Sequence, residues 1–166
     1  MKKLSVLLLS LFFSGALFAG EFTLYFVRHF EKQKGPDPEL TEQGRKRAEQ
    51  LANLLDNTGL TKVYSSDYKR TKQSGTPIAE RLGLDINLYD PRRLDDLATR
   101  LLEAQETALI VGHSNTTPAI VNLVGGKAEP LSESDYGDVF IVKFATKEEG
   151  NTDVTLKGHL KVTLND

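Results

Sequence analysis

The strongest constraint on this chain is the way short apolar runs alternate with longer stretches of helical period. Phe22 to Val27 (FTLYFV), Lys62 to Ser65 (KVYS) and Thr107 to Val111 (TALIV) are too brief for helices and rich in β-branched or aromatic residues. Near-continuous apolarity of this kind belongs to strands covered on both faces, as in a parallel sheet. Ile86 to Tyr89 reads as a weaker strand. Between these runs, Ala48, Leu51, Ala52 and Leu55 recur at helical spacing, with Thr41 as the expected N-cap and Gly59 as the expected stop. Leu94, Leu97, Ala98, Leu101 and Leu102 predict another helix, opened by Asp90 as N-cap and Pro91 in the first helical position. Tyr68 to Leu82 predicts a helix that Gly75 and Pro77 should disturb, and Pro118 to Val124 predicts a short one.

The end of the chain changes period. Phe140, Val142 and Phe144 alternate, residues 147–151 supply a turn, and Val154, Leu156, Leu160 and Val162 alternate again, which predicts an antiparallel hairpin. The expected fold is therefore α/β: a three-layer sandwich with a largely parallel central sheet and an antiparallel C-terminal hairpin. No repeat or low-complexity tract divides it, so residues 20–166 are expected to form one domain.

The first 19 residues stand apart. Lys2 and Lys3 precede the apolar stretch Leu4 to Phe13, and Ala16 or Ala19 offers a small-residue cleavage point, the pattern of a signal peptide. A membrane anchor is the alternative, but the apolar span is short of the roughly 20 residues that cross a bilayer. Loss of Lys2 and Lys3 leaves 19 basic residues against 23 acidic ones, a net charge near −4, which argues against a nucleic-acid partner. The chain has no cysteine, hence no disulfide and no thiolate metal site. The expectation is a periplasmic or secreted protein without stable membrane insertion after cleavage; oligomeric state is not legible.

In open α/β sheets ligands bind beyond the carboxyl ends of the strands. The first strand ends in Arg28-His29, the second leads to Ser65, Ser66 and Arg70, and the strand from Thr107 ends in Gly112-His113-Ser114-Asn115. Two of the chain's three histidines and two arginines therefore converge on one sheet edge. The third histidine, His159, falls within a hairpin strand and carries no such role.

At these residues a resemblance emerges. Arg28-His29-Phe30-Glu31 resembles the Arg-His-x-Glu signature of the histidine phosphatase (phosphoglycerate mutase-like) superfamily, with Phe30 where Gly is usual. Leu40-Thr41-Glu42-Gln43-Gly44, the Ser65 to Ser74 segment and Gly112-His113-Ser114 are similar to three further elements of that family, in the same order. The resemblance implies a phosphatase in which His29 is phosphorylated, while Arg28, Arg70 and His113 meet the charge on the phosphoryl oxygens. It implies a phosphorylated substrate and no metal or cofactor. The resemblance also makes Glu31 and Thr41 substrate-binding candidates. Glu31 either bonds to an active-site cation or faces solvent, and Thr41 either touches substrate or only caps its helix. Lys32, beside a Gly35-Pro36 loop, is a candidate for attracting an anion, with plain loop charge as the alternative. Asn115, at an expected helix N-terminus, is a candidate for anion binding or for capping.

A phosphomonoester with an alkoxide-like leaving group also needs a proton donor. Between Arg70 and His113 lie Asp85, Asp90, Asp95, Asp96, Glu103 and Glu106, none in a recognisable catalytic motif, and His113 is followed by Ser114 rather than Asp. Short phosphohistidine phosphatases of the superfamily also lack the usual acid, and this chain resembles them in compactness. A phosphate-binding module without turnover and a phosphoryl transferase or mutase remain the competing readings.

Overall fold

A computed structural model describes residues 20–146 and 152–163. The expected leader and the turn at 147–151 lie outside the described residues. The chain runs β1 (Glu21–Arg28), α1 (Glu42–Leu55), β2 (Lys62–Ser66), α2 (Lys69–Leu82), β3 (Ile86–Tyr89), α3 (Leu94–Ala104), β4 (Ala108–Gly112), α4 (Thr116–Leu123), β5 (Asp138–Thr146) and β6 (Thr152–Lys161).

The described strands form one sheet in the order β3-β2-β4-β1-β5-β6. β3, β2, β4 and β1 are parallel, whereas β5 is antiparallel to both β1 and β6. Alternation along each strand sends side chains to two cores. Phe22, Leu24 and Phe26 of β1 join Ile110, Leu97, Leu101, Ile120 and Val121 beneath α3 and α4. Val27, with Val63, Leu109 and Val111, packs against Ala48, Leu51, Leu55, Ile78 and Ala79 of α1 and α2. The result is the expected three-layer sandwich with a C-terminal hairpin. Among the described residues, no helix is long and apolar enough to cross a membrane.

Two helix ends and one helix interior depart from expectation. α1 stops at Leu55, and Gly59, at φ 74, closes the turn that follows rather than the helix itself. α3 starts at Leu94, because the Asp90 carboxylate accepts from the Arg92 backbone N–H and closes a turn over Pro91. α2 continues through both of its expected disturbances. Gly75 lets this helix lie close on the sheet, since a Cβ there would come within 3.1 Å of Val63 Cγ1. Pro77 removes one backbone donor, and packing of Ile78 and Ala79 into the core holds the helix despite that loss.

Candidate active site

Parallel pairing of β1 with β4 sets Arg28 opposite Gly112, so the next residues, His29 and His113, emerge side by side. Their rings are 5.5 Å apart in an edge-on arrangement. Arg70 approaches from the first turn of α2. A cleft of about 370 Å³ opens above them, lined also by Lys32, Tyr68, Pro91, Arg92, Ser114, Asn115, Thr116 and Glu133. A larger hollow, about 540 Å³, lies over the hairpin beside His159 and contains neither His29 nor His113. His159 itself pairs with Asp138 at 2.8 Å and stacks on Phe140.

His29 is 3% exposed, and its Nδ1 lies 2.8 Å from the Phe30 carbonyl oxygen. A carbonyl can only accept, so Nδ1 carries the hydrogen and the lone pair is left on Nε2. Burial is the main force pulling the His29 pKa down to about 3, helped by the positive charge of Arg28 and opposed by the Phe30 bond. The ring is thus neutral and nucleophilic at physiological pH. Position 30 serves both ends of this arrangement: the Phe30 side chain is fully buried in the core while its carbonyl orients the ring.

His113 has the opposite tautomer. Its Nδ1 faces Arg70 Nη2 at 3.5 Å, and an arginine can only donate, so the hydrogen sits on Nε2 and points to Ser66 Oγ at 2.9 Å. Burial first, then Arg70 and Arg28, pulls the His113 pKa down to about 4. Arg28 is 2% exposed, donates through Nη1 to the carbonyls of Ser132 and Asp135, and donates through Nη2 to Glu133 at 3.1 Å. Arg70 lies over the Tyr68 ring and 3.7 Å from Asp37. Neither Arg28 Nε nor Arg70 Nε has a partner within the described protein. One buried cation, Arg28, and one partly buried, Arg70, each with an unspent Nε donor, stand beside two uncharged rings and make a receptor for a multiply charged anion.

Of the expected site residues, Arg28, His29, Lys32, Arg70, His113 and Asn115 line the cleft. Glu31 and Thr41 do not. The Glu31 carboxylate is forked onto Arg47 of α1, with Nη2 at 2.7 Å, and Arg47 also donates to the Val162 carbonyl. The cation that Glu31 meets is therefore a structural one. Thr41 accepts from the Gly44 N–H and donates to the Glu31 carbonyl, which fixes the start of α1. Gly44 is required there because a Cβ would lie 2.3 Å from the Glu31 carbonyl oxygen. Tyr68, Arg92 and Glu133 are cleft residues that the sequence did not single out. Tyr68 sits inside the Ser65 to Ser74 segment and was findable from it, but Glu133 belongs to a plain polar loop with no periodic or motif signal. No group of three or more His, Asp or Glu among the described residues is placed to hold a metal ion.

This fold and this cleft define a class: wound α/β proteins that gather two arginines and two histidines at the carboxyl edge of the sheet. Residues 24–91 match the family model described as the histidine phosphatase superfamily, branch 1. A probable phosphoglycerate mutase GpmB of Escherichia fergusonii is 37% identical over 120 residues, covering 67% of this chain and 55% of that protein. Phosphoserine phosphatase 1 of Hydrogenobacter thermophilus is 38% identical over 71 residues, covering 38% of this chain and 34% of its own length. The chain spans about half the length, or less, of these relatives. Among solved structures, the protein histidine phosphatase SixA complexed with tungstate shares the fold at TM-score 0.60 and 17% identity, over 82% of this chain and 96% of that one. The chain belongs to the histidine phosphatase superfamily.

Proposed function

We propose that the protein is an exported, metal-independent phosphatase that hydrolyses its substrate through a phosphohistidine on His29. One observation carries the reading: the Phe30 carbonyl leaves the His29 lone pair on Nε2, within a frame of Arg28, Arg70 and His113. Nε2 attacks phosphorus, the bond to the leaving group breaks, and the charge on the three equatorial oxygens meets the two guanidinium groups, joined by His113 once the anion has drawn Arg70 off its Nδ1 and that nitrogen has taken up a proton. Water then attacks the phosphohistidine, releasing phosphate and restoring the neutral ring. Export rests on the leader-like residues 1–19.

The test is single-turnover kinetics with 4-nitrophenyl phosphate in the presence of EDTA. Wild type should release phenolate and phosphate and form an acid-labile, base-stable phosphoenzyme, while His29→Ala should form none. Turnover by His29→Ala near the wild-type rate refutes the nucleophile, and activity restored by one metal after chelation refutes metal independence. Binding without release would leave a phosphate-binding module, and transfer to an added alcohol in preference to water would leave a transferase or mutase. Export predicts a mature chain, recovered outside the cytoplasm, that begins after Ala16 or Ala19.

A further inference from the structure

Glu133 is the one carboxylate among the described residues that line the cleft. Its Oε2 accepts from Arg28 Nη2 at 3.1 Å and its Oε1 from Ser114 Oγ at 2.8 Å. It therefore spans the ends of β1 and β4, the two strands that carry His29 and His113. The acidic residues weighed between Arg70 and His113 are placed elsewhere. Asp90 is forked onto Arg92, Asp96 pairs with Arg93, and Asp95 stands exposed in the first turn of α3. None of them lines the cleft.

The loop that bears Glu133 does not depend on its side chain. Arg28 Nη1 holds the loop by the Ser132 and Asp135 carbonyls, and the Ser132 N–H donates to Asp135. The Glu133 side chain is 81% exposed and can leave Arg28 while its backbone stays in place. A phosphoryl group bound to Arg28 would take over Nη2 and put negative charge next to the carboxylate. A carboxyl that loses a cation and gains an anionic neighbour takes up a proton.

We infer that Glu133 is the proton donor and acceptor of the reaction, supplied from the loop after α4. This inference rests on the phosphatase reading above. In the first step the bond from Nε2 to phosphorus forms, the bond to the ester oxygen breaks with its electron pair on oxygen, and the Glu133 carboxyl gives that oxygen its proton. In the second step water oxygen bonds to phosphorus, the electron pair of the broken bond returns to Nε2, and the Glu133 carboxylate takes one water proton. Alcohol and hydrogen phosphate leave, and Glu133 ends protonated as it began the first step.

The experiment compares Glu133→Gln and Glu133→Asp with wild type on ethyl phosphate and 4-nitrophenyl phosphate, after thermal melts of all three. Glu133→Gln should lose on the order of 10² to 10⁴ of kcat on ethyl phosphate, the usual contribution of acid-base catalysis. Its first-turnover release of 4-nitrophenolate, which needs no proton, should stay within about tenfold of wild type. Phosphohistidine should accumulate after that burst, because the water step has lost its base. Glu133→Asp should recover part of the ethyl phosphate rate. Ethyl phosphate turnover within tenfold of wild type, or faster, overturns the inference and makes Glu133 only a competitor for Arg28. Equal losses in ethyl phosphate turnover and in the aryl burst also overturn it, since that pattern marks a residue that merely positions Arg28. Wild type that releases phosphate from neither ester fails the phosphatase reading first and takes this inference with it.

Discussion

Acidification should destabilise this protein earlier than carboxylate chemistry would, because His29 is buried as a neutral ring. Its folded pKa of about 3 lies below the ordinary value of 6.5 kept by the unfolded chain, so the unfolded state binds the proton first. The His29 contribution is intact above pH 6.5 and is lost as pH falls toward 3. Between pH 7 and pH 5 the loss from this ring alone is about 2 kcal/mol, with the full effect, on the order of 5 kcal/mol, reached only near pH 3. His113, lowered to about 4, acts in the same direction but more weakly, being partly open to the cleft. The lowered carboxyls of Asp90, Glu133 and Asp135 lose their contribution only as pH falls into the normal carboxylate range and below it, so the pH 7 to 5 window isolates the two histidines of the cleft. Urea unfolding of wild type and His29→Gln at both pH values measures the difference. Wild type should lose about 2 kcal/mol more than the variant. Equal losses in the two proteins, or a His29 ring that titrates near 6.5 by NMR, would refute the burial argument.

Arg28→Ala, Arg70→Ala and His113→Ala should each cost on the order of 10² to 10³ in kcat, the range for one transition-state donor, whereas a change confined to KM at Arg70 would mark plain substrate binding. Glu31→Ala leaves the buried guanidinium of Arg47 unpaired and should lower stability by about 3 kcal/mol in urea with turnover little changed. Normal stability with lost turnover would return Glu31 to the substrate. Thr41→Ala removes the cap on Gly44 N–H and should cost about 1 kcal/mol by the same measurement, with KM unmoved. Asp90→Asn, Asp95→Asn and Asp96→Asn should each keep alkyl phosphate turnover within about tenfold of wild type, and a larger loss at one site would transfer the donor role to it.

The sheet and the convergence of Arg28, His29, Arg70 and His113 on the cleft were legible because each strand announces its end. An apolar run that stops at Arg-His or Gly-His has one place to put the charge, beyond the carboxyl edge. Glu31 was not legible, since its partner Arg47 sits in the run Arg45-Lys46-Arg47 and looks like any solvated helix cation. Only the fold brings Glu31 and the Val162 carbonyl to it. Asp90 misled for a local reason: an N-cap and an Asx turn both have a carboxylate accepting a backbone N–H two residues on. What separates them is where Leu97 and Leu101 find the core, which is a tertiary fact. Glu133 was invisible because its position follows from Arg28 reaching the Ser132 carbonyl, 104 residues further along the chain.

The place of β4 in the sheet has a consequence for how the chain folds. β1 forms no ladder with β2, and the strand that joins them is the fourth in sequence, so Leu24 waits for Ala108 before the centre of the sheet exists. β2 and β3 can zip locally and α1 can pack on α2, but the arginine and histidine at the end of β1 have no partner strand until residue 108 arrives. Closure over so long a stretch of chain is entropically costly and slow. A chain emerging from its N-terminus therefore holds the two halves of the cleft apart until more than half its length has been made, and His29 meets His113 only with the closing of the sheet.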